Sequence, residues 1–326
     1  MITGLKDKRI LVTGGAGFIG SNLVAKLLDI GATVVVLDNL STGKRSNIEP
    51  FMSHERFSFV EGDICDANTC LEVTKSIDAI SHQAALGSVP RSIANPLATH
   101  EVNATGFLNM LHAAQQNDVK RFVYASSSSV YGDSIVSPKT IGSEGSLLSP
   151  YAVTKQLNEE YAKVFNRLHA TETIGLRYFN VFGPNQDPNG VYAAAIPKFI
   201  SKMLTGETIT VNGDGNQTRD FTFVDNAVNA NLLSLSCTEH AAFGKVFNVA
   251  CGAFFSLNDV IAIIRSGLEK RGKLNEASTV VYGPKRPGDI QDSLADITLT
   301  RELLGYVNPT DFETGMNIYL NRLVGE

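Results

Sequence analysis

Residues 9–13 (RILVT) are a short apolar, β-branched run that ends in glycines, the pattern of a strand buried on both faces of a parallel sheet. In residues 17–30 apolar positions recur at Ile19, Leu23, Leu27 and Ile30, the spacing of a helix with one buried stripe. Gly31 then stands where a helix end favours glycine. Residues 33–37 (TVVVL) form a second apolar run, closed by Asp38. Strand, helix and strand in about 30 residues make a βαβ unit.

The alternation continues. Residues 57–60, 77–81 and 121–125 predict strands, and 66–75 and 101–117 predict helices. A long amphipathic helix is predicted over 151–168, with Pro150 as its start signal, and a strand over 173–178. Such repetition implies an α/β fold of Rossmann type, a doubly wound parallel sheet with ligands at the C-terminal ends of its strands. After about residue 180 Gly and Pro thicken (Gly183, Pro184, Pro188, Gly190, Pro197), and short strands are predicted at 208–211 and 246–249. This half reads as a smaller mixed α/β lobe. The division falls at 1–176 and 177–326, a soft boundary that the chain can recross, and a cleft between lobes suits a substrate.

Composition narrows the function classes. Hydrophobic residues make up 43% and charged residues 19%, enough for a large core and against wholesale disorder. A net charge of −5 argues against nucleic acid or an anionic membrane as partner. The four cysteines (Cys65, Cys70, Cys237, Cys251) lack zinc-ligand spacing, so no metal site and a reduced, cytoplasmic setting are expected. Neither a signal peptide nor a run of ~18 apolar residues is evident, so no membrane span is expected.

Candidate chemistry starts at Gly14, Gly17 and Gly20, a GxxGxxG between strand and helix. Glycine lets the backbone approach a pyrophosphate, and the helix N-terminus offers it free N–H groups. Asp38 could accept hydrogen bonds from a ribose diol, and its charge favours NAD over NADP. Lys44 and Arg45 weaken that preference unless they are merely solvated. Asp63 is either an adenine-side residue or an ordinary turn aspartate. The small residues of HQAA, 82–85, could let a cofactor pass close, while His82 reads as structural.

Tyr151 and Lys155 lie four apart, on one helix face. A phenol of pKa ~10 is a poor base at neutral pH, and a nearby ammonium and a nicotinamide cation would favour the phenolate. Lowering it by ~3 units needs ~4 kcal/mol. Serines 126–129 follow the strand at 121–125, where one hydroxyl could relay a proton to Tyr151.

Taken together, TGGAGFIGSN (13–22), Asp38, SSSSVYGD (126–133), SPYAVTK (149–155), RYFNVFGP (177–184) and RPGD (286–289) resemble the extended short-chain dehydrogenase/reductase family, in its nucleotide-sugar branch of NAD-dependent epimerases and dehydratases. HQAALGSVPRS (82–92), GLRYFNVFGPNQDPNG (175–190) and GDGNQTRDF (213–221) are most similar to bacterial UDP-N-acetylglucosamine 4-epimerases of surface-polysaccharide pathways. The resemblance implies an enzyme with resident NAD. Tyr151 would remove the proton of the sugar 4-hydroxyl, with Ser127 bridging, Ser128 beside it and Lys155 holding the nicotinamide ribose. Hydride leaves C4 and returns to the opposite face.

It further implies cofactor contacts from Phe18 and Ile19, from Asn39, Ser41, Thr42 and Gly43 after Asp38, and from Ile64 beside Asp63. Gln83, Ala84, Ala85 and Tyr178 would complete that site. Gly87, Ser88, Arg91, Asn180 and Ala194 would face the sugar nucleotide, with Arg219, Arg286 and Asp289 on its nucleotide part. Any single arginine is otherwise a surface charge.

Two departures discriminate. The 4,6-dehydratases carry an Asp–Glu pair where this chain has serines, so elimination of water is disfavoured. Plain UDP-glucose epimerases carry a bulky tyrosine where this chain has Ser293, which would leave room for a 2-N-acetyl group. A uronate epimerase, a decarboxylase, a net dehydrogenase and a non-catalytic NAD-binding regulator are the alternatives. A homodimer through helices 101–117 and 151–168 is also implied, against burial of those helices within one chain.

Overall fold

The computed structural model describes residues 4–190, 193–285 and 292–325. Its first half runs β1 (Arg9–Thr13), α1 (Phe18–Asp29), β2 (Thr33–Asp38), β3 (Phe57–Glu61), α2 (Ala67–Val73) and β4 (Ala79–His82). It continues with α3 (Val89–Ala94), α4 (Pro96–His100), α5 (Phe107–Gln116), β5 (Arg121–Ser127), α6 (Pro150–Leu168) and β6 (Glu172–Tyr178). The helix expected at 101–117 starts earlier, at Pro96, and passes through a π-helical turn at Glu101–Gly106. Gly106 is needed there, because a Cβ would come within 2.7 Å of the Ile64 side chain.

The second half holds β7 (Val181–Phe182), α7 (Ala195–Thr205), β8 (Ile209–Asn212), β9 (Thr218–Arg219), β10 (Thr222–Phe223) and α8 (Val224–Leu235). Then come β11 (Lys245–Val249), β12 (Phe255–Ser256), α9 (Leu257–Lys270), β13 (Val280–Gly283), β14 (Asp292–Ser293), α10 (Thr298–Leu304) and α11 (Phe312–Val324). Helices α7 and α9 carry a buried apolar stripe at helical spacing (Ile196, Phe199, Ile200 and Met203; Val260, Ile261, Ile264 and Leu268), but α8 does not. Of the twelve residues of α8, nine are buried, two of them asparagines, so its pattern looks neither amphipathic nor wholly apolar.

Seven strands form one sheet in the order β11-β6-β5-β4-β1-β2-β3. Every pair in it is parallel. The strand at Lys245–Val249, read from the sequence as part of the smaller lobe, joins this sheet beside β6. Side chains alternate between two buried faces, as parallel strands covered on both sides require. Ile10, Val12, Val34 and Val36 join one core with Leu23, Leu27 and Leu232, whereas Leu11, Val35 and Leu37 join another with Phe107, Met110 and Leu111. The remaining strands form small sheets, β10-β7, β12-β9-β14 and β13-β8, beyond the C-terminal edge of β6 in sequence.

Candidate active site

β1 and β4 are neighbours at the sheet centre, with Thr13 opposite His82 in register. From β1 the chain goes on to β2, on one side, and from β4 to β5, on the other. The strand order reverses there, and a crevice opens beyond the strand ends. Gly14, at φ +67°, makes the first turn, and a Cβ on it would lie 2.7 Å from the Ala84 nitrogen. A Cβ on Gly20 would lie 2.1 Å from the Gly14 carbonyl oxygen, so α1 packs directly on this turn. The N-cap, Gly17, makes no side-chain hydrogen bond, which leaves the first-turn N–H groups of α1 for a ligand.

A cavity of about 440 Å³ runs from this turn along the strand ends. Gly17, Phe18 and Ile19 line one side, followed by Asp38, Asn39, Ser41 and Thr42. Asp63 and Ile64 lie on its wall, and Gln83, Ala84 and Ala85 along its floor. Tyr151, Lys155 and Tyr178 close the far end, with Gly87 nearby. Asp38 is pinned by the N–H groups of Ala16 (2.9 Å) and Leu40 (2.8 Å), and burial raises its carboxyl above the usual range. Gly43 does not line the cavity but packs against Asp38, where a Cβ would stand 2.9 Å from both carboxylate oxygens. Lys44 and Arg45 are held in ion pairs with Asp187 and Glu61, so neither is spent on Asp38. A glycine turn that no side chain could occupy, uncapped helix N–H groups and a carboxylate at the end of β2 form a donor and acceptor set that fits NAD.

At the other end α6 brings in the acid–base groups. Ser149 caps it, accepting from the Ala152 N–H (3.2 Å), and Pro150 opens it. The Tyr151 phenol shares a hydrogen bond with Ser127, and burial still pushes its pKa up. Lys155 is 2% exposed, donates to the Ala125 carbonyl (2.8 Å), and sits 5.8 Å from the centre of the Tyr151 ring. Burial brings Lys155 down to about 8, against the opposing pull of Glu159. Burial outweighs the lowering by Ser127, so the lowered tyrosine pKa expected from the ammonium and the nicotinamide cation together is not present in the protein without its cofactor. Ser128 begins the turn Ser128–Tyr131 and does not line the cavity. His82 is a core histidine: Thr13 Oγ1 lies 2.9 Å from its Nδ1, and burial first, then Lys155, lowers its pKa to about 3.

A second cavity of about 680 Å³ meets the first at Asn180 and Val181, which line both. Ser88, Ala194 and Arg219 line it, together with Lys198 and Gln217. Asn180, at φ +34°, donates to the Asp220 carbonyl (3.0 Å), and Ser88, at φ +100°, caps α3 through the Arg91 N–H (3.3 Å). Arg91 lines neither cavity. Ser293 is buried on β14 opposite Arg219, its carbonyl accepting from the Asp220 N–H (2.8 Å), and it lines neither cavity, so the room expected from it is not at the cavity wall. Arg286 and Asp289 lie outside the described residues.

Asn231 of α8 went unread in the sequence. It donates to the Tyr178 hydroxyl (2.7 Å) and accepts from Ser81 Oγ and Gln83 Nε2 (both 3.0 Å), while Tyr178 donates to Gln83 (3.0 Å). One buried amide thus fixes two cavity residues from a helix far along the chain, and nothing local marks it. Lys198 likewise gave no signal. Among the described residues no group of three or more His, Cys, Asp or Glu is placed to hold a metal, and no helix is long and apolar enough to cross a membrane.

A parallel sheet with a glycine turn at its switch point, and a Ser–Tyr–Lys cluster at the end of the same cavity, define a dinucleotide-binding protein with an acid–base site. The chain belongs to the NAD dependent epimerase/dehydratase family, whose model matches residues 10–250, and its cofactor is NAD. It is 37% identical to the "Putative UDP-glucose 4-epimerase" of Methanocaldococcus jannaschii, over 96% of this chain and 97% of that protein. It is similar to the structure of UDP-N-acetylglucosamine 4-epimerase from Methanobrevibacter ruminantium in complex with UDP-N-acetylmuramic acid (TM-score 0.90, 38% identity, 98% and 99% of the two chains). It is also similar to that of UDP-glucose 4-epimerase from Thermotoga maritima with UDP-glucose (TM-score 0.88, 34% identity, 98% and 100%).

Proposed function

We propose that this chain is an NAD-dependent UDP-sugar 4-epimerase that interconverts UDP-N-acetylglucosamine and UDP-N-acetylgalactosamine. The observation that carries the reading is the junction of the two cavities at Asn180 and Val181, with the Ser127-bound phenol of Tyr151 at the end of the cofactor cavity. A sugar nucleotide filling the second cavity would bring its hexose to this junction. Relatives named as UDP-sugar 4-epimerases support the 4-epimerase part of this reading.

NAD would be held by the Gly14–Gly20 turn, Asp38, Tyr178 and Lys155, and it would supply acceptance of hydride from the sugar C4 and its return. Tyr151 takes the proton of the 4-hydroxyl and later gives it back, with Ser127 sharing the hydrogen bond. Electrons and protons both return to the sugar, so no outside oxidant is required. Arg219 suits the diphosphate, since a guanidinium offers a fixed fork of donors. Small side chains at Ser88, Ala193 and Ala194 line the second cavity and leave volume for an acetamido group. Arg286 and Asp289 would complete the nucleotide site. The chain works as a cytoplasmic homodimer in this reading, through the exposed Ile93, Leu97 and Leu168 of α3, α4 and α6.

The test offers UDP-N-acetylglucosamine, UDP-glucose and UDP-glucuronic acid to protein purified with its own cofactor, without added NAD, and follows products by NMR. C4 inversion without accumulation of reduced cofactor is expected, with kcat/KM for the acetamido sugar at least about tenfold above UDP-glucose. Loss of carbon dioxide or water, or net formation of reduced cofactor, would overturn the reading.

A further inference from the structure

Behind the acid–base residues lies a buried ionic cluster that the proposed chemistry does not use. Tyr151, Lys155 and Glu159 follow one another at four-residue steps on one face of α6. The Lys155 ammonium donates to the carbonyl of Ala125 (2.8 Å), and the hydroxyl of Ser126 donates to Glu159 Oε1 (2.5 Å). Two successive residues of β5 are thus tied to two successive turns of α6, and the next residue is Ser127.

Glu159 is in turn gripped by Arg177 of β6, whose Nε and Nη2 donate to its two carboxylate oxygens at 2.8 and 2.7 Å. This bidentate pair is nearly dry, with the two side chains 4% and 8% exposed. A third guanidinium nitrogen pairs with Glu144, in the connection that leads into Ser149 and Pro150, and the guanidinium lies 4.8 Å from the Tyr131 ring centre. Arg177 also precedes Tyr178, which lines the cofactor cavity. The cluster therefore joins β5, β6, α6 and the entry to α6.

We propose that Glu159 is a positioning residue for the Ser127–Tyr151–Lys155 centre: pinned by Arg177, it holds the end of β5 through Ser126 and supplies the counter-charge behind Lys155. This deepens the epimerase reading and rests on it for its kinetic arm. The titratable groups around Lys155 are Tyr151 and Glu159 on its own helix, His82 on β4 and Tyr178 across the cavity on β6. His82 is neutral, its pKa being lowered to about 3 by burial and by Lys155, and burial raises both phenols. Glu159 is then the carboxylate that favours the ammonium form of Lys155 against its desolvation. A carboxylate locked bidentately by arginine keeps its place while the groups in front of it exchange a proton.

Glu159→Gln keeps an acceptor for Ser126 and removes the charge, and Arg177 retains Glu144. Lys155 is followed without substrate, through the ε-carbon resonance of lysine-labelled protein, assigned by its loss in Lys155→Met. Its midpoint is expected to fall by about one pH unit in Glu159→Gln. The alkaline limb of kcat falls with it, turnover at neutral pH drops about tenfold, and KM and NAD content stay within about twofold. Ser126→Ala removes the tether but not the charge: turnover drops about threefold with the Lys155 midpoint unmoved. A folded Glu159→Gln protein with the wild-type midpoint and pH profile would falsify the counter-charge. Should Glu159→Gln fail to fold, unchanged turnover of Ser126→Ala at every pH overturns the positioning role. The two failures separate cleanly, since a wild-type chain inert toward every UDP-sugar but showing the Lys155 shift would sink the epimerase reading alone.

Discussion

The Tyr151 phenol stands where burial disfavours the charge that a base must carry, and the protein offers it only the Ser127 hydroxyl and an ammonium already bound to a carbonyl. In the proposed epimerase, a phenol held in check this way would idle until cofactor and sugar are in place. Tyr151→Phe removes one oxygen from a packed ring, so we expect turnover to fall by about 10³ with cofactor content unchanged, measured by NMR and by release of NAD on denaturation. Asp220 makes a second residue-scale case. It is fully buried, and its carboxylate accepts from the N–H groups of Cys251 (3.0 Å), Gly252 (3.0 Å) and Ala295 (3.3 Å). Burial pushes it up to about 7, against the pull of these donors. The folded state therefore keeps a proton that the unfolded chain releases near pH ~4, so this group's stabilisation is complete below about pH 4 and fades as pH rises through 7. Asp220→Ala strands three backbone donors and is expected to cost about 2–4 kcal/mol, more at pH ~5 than at pH ~8, by denaturant unfolding at the two pH values.

Among the elements, α1 and α6 matter most to the site, and both are set by short-range features. The seating of α1 depends on glycine at its third position: a Cβ on Gly20 would strike the Gly14 carbonyl at 2.1 Å, a contact no side-chain rotation relieves. Gly20→Val should therefore displace the helix from the turn and abolish NAD retention while the rest of the sheet folds, checked by cofactor content and circular dichroism. α6 is placed by its Ser149 cap and Pro150, and its inner face reads directly from the spacing of Tyr151 and Lys155. In the second half, α8 is a different matter. It is buried nearly all round and carries Asn231 inward, so periodicity fails there for the same reason that the residue works: its amide partners are Ser81 and Gln83 at the end of β4 and Tyr178 at the end of β6, brought from two other places in the chain.

At the scale of the whole molecule, several large apolar side chains stand exposed on the helices α3, α4 and α6. Leu97 is 82% exposed on α4, and Leu168 and Ile93 stand out of the adjoining helices. Water penalises such surface, and a second copy of the chain would cover it. If the dimer proposed above forms through this face, Leu97→Glu shifts the particle from twice the chain mass to the chain mass in light scattering, with the fold intact. The second half is not a separate body hung on the first, since β11 returns to the large sheet beside β6.

Read alone, the sequence was enough to determine the parallel βαβ framework, the glycine turn, Asp38 and the Tyr151–Lys155 pair, because each depends on residues within a turn or a strand of one another. Only the tertiary structure decided that Ser128 stays out of the cavity, that Ser293 lies on β14 beside β9 rather than at the cavity wall, that β11 belongs to the large sheet, and that Glu159, Arg177 and Asn231 stand behind the site. Those facts depend on contacts between residues tens to hundreds of positions apart, formed when burial forces each polar group to find a partner, and no local pattern carries that information.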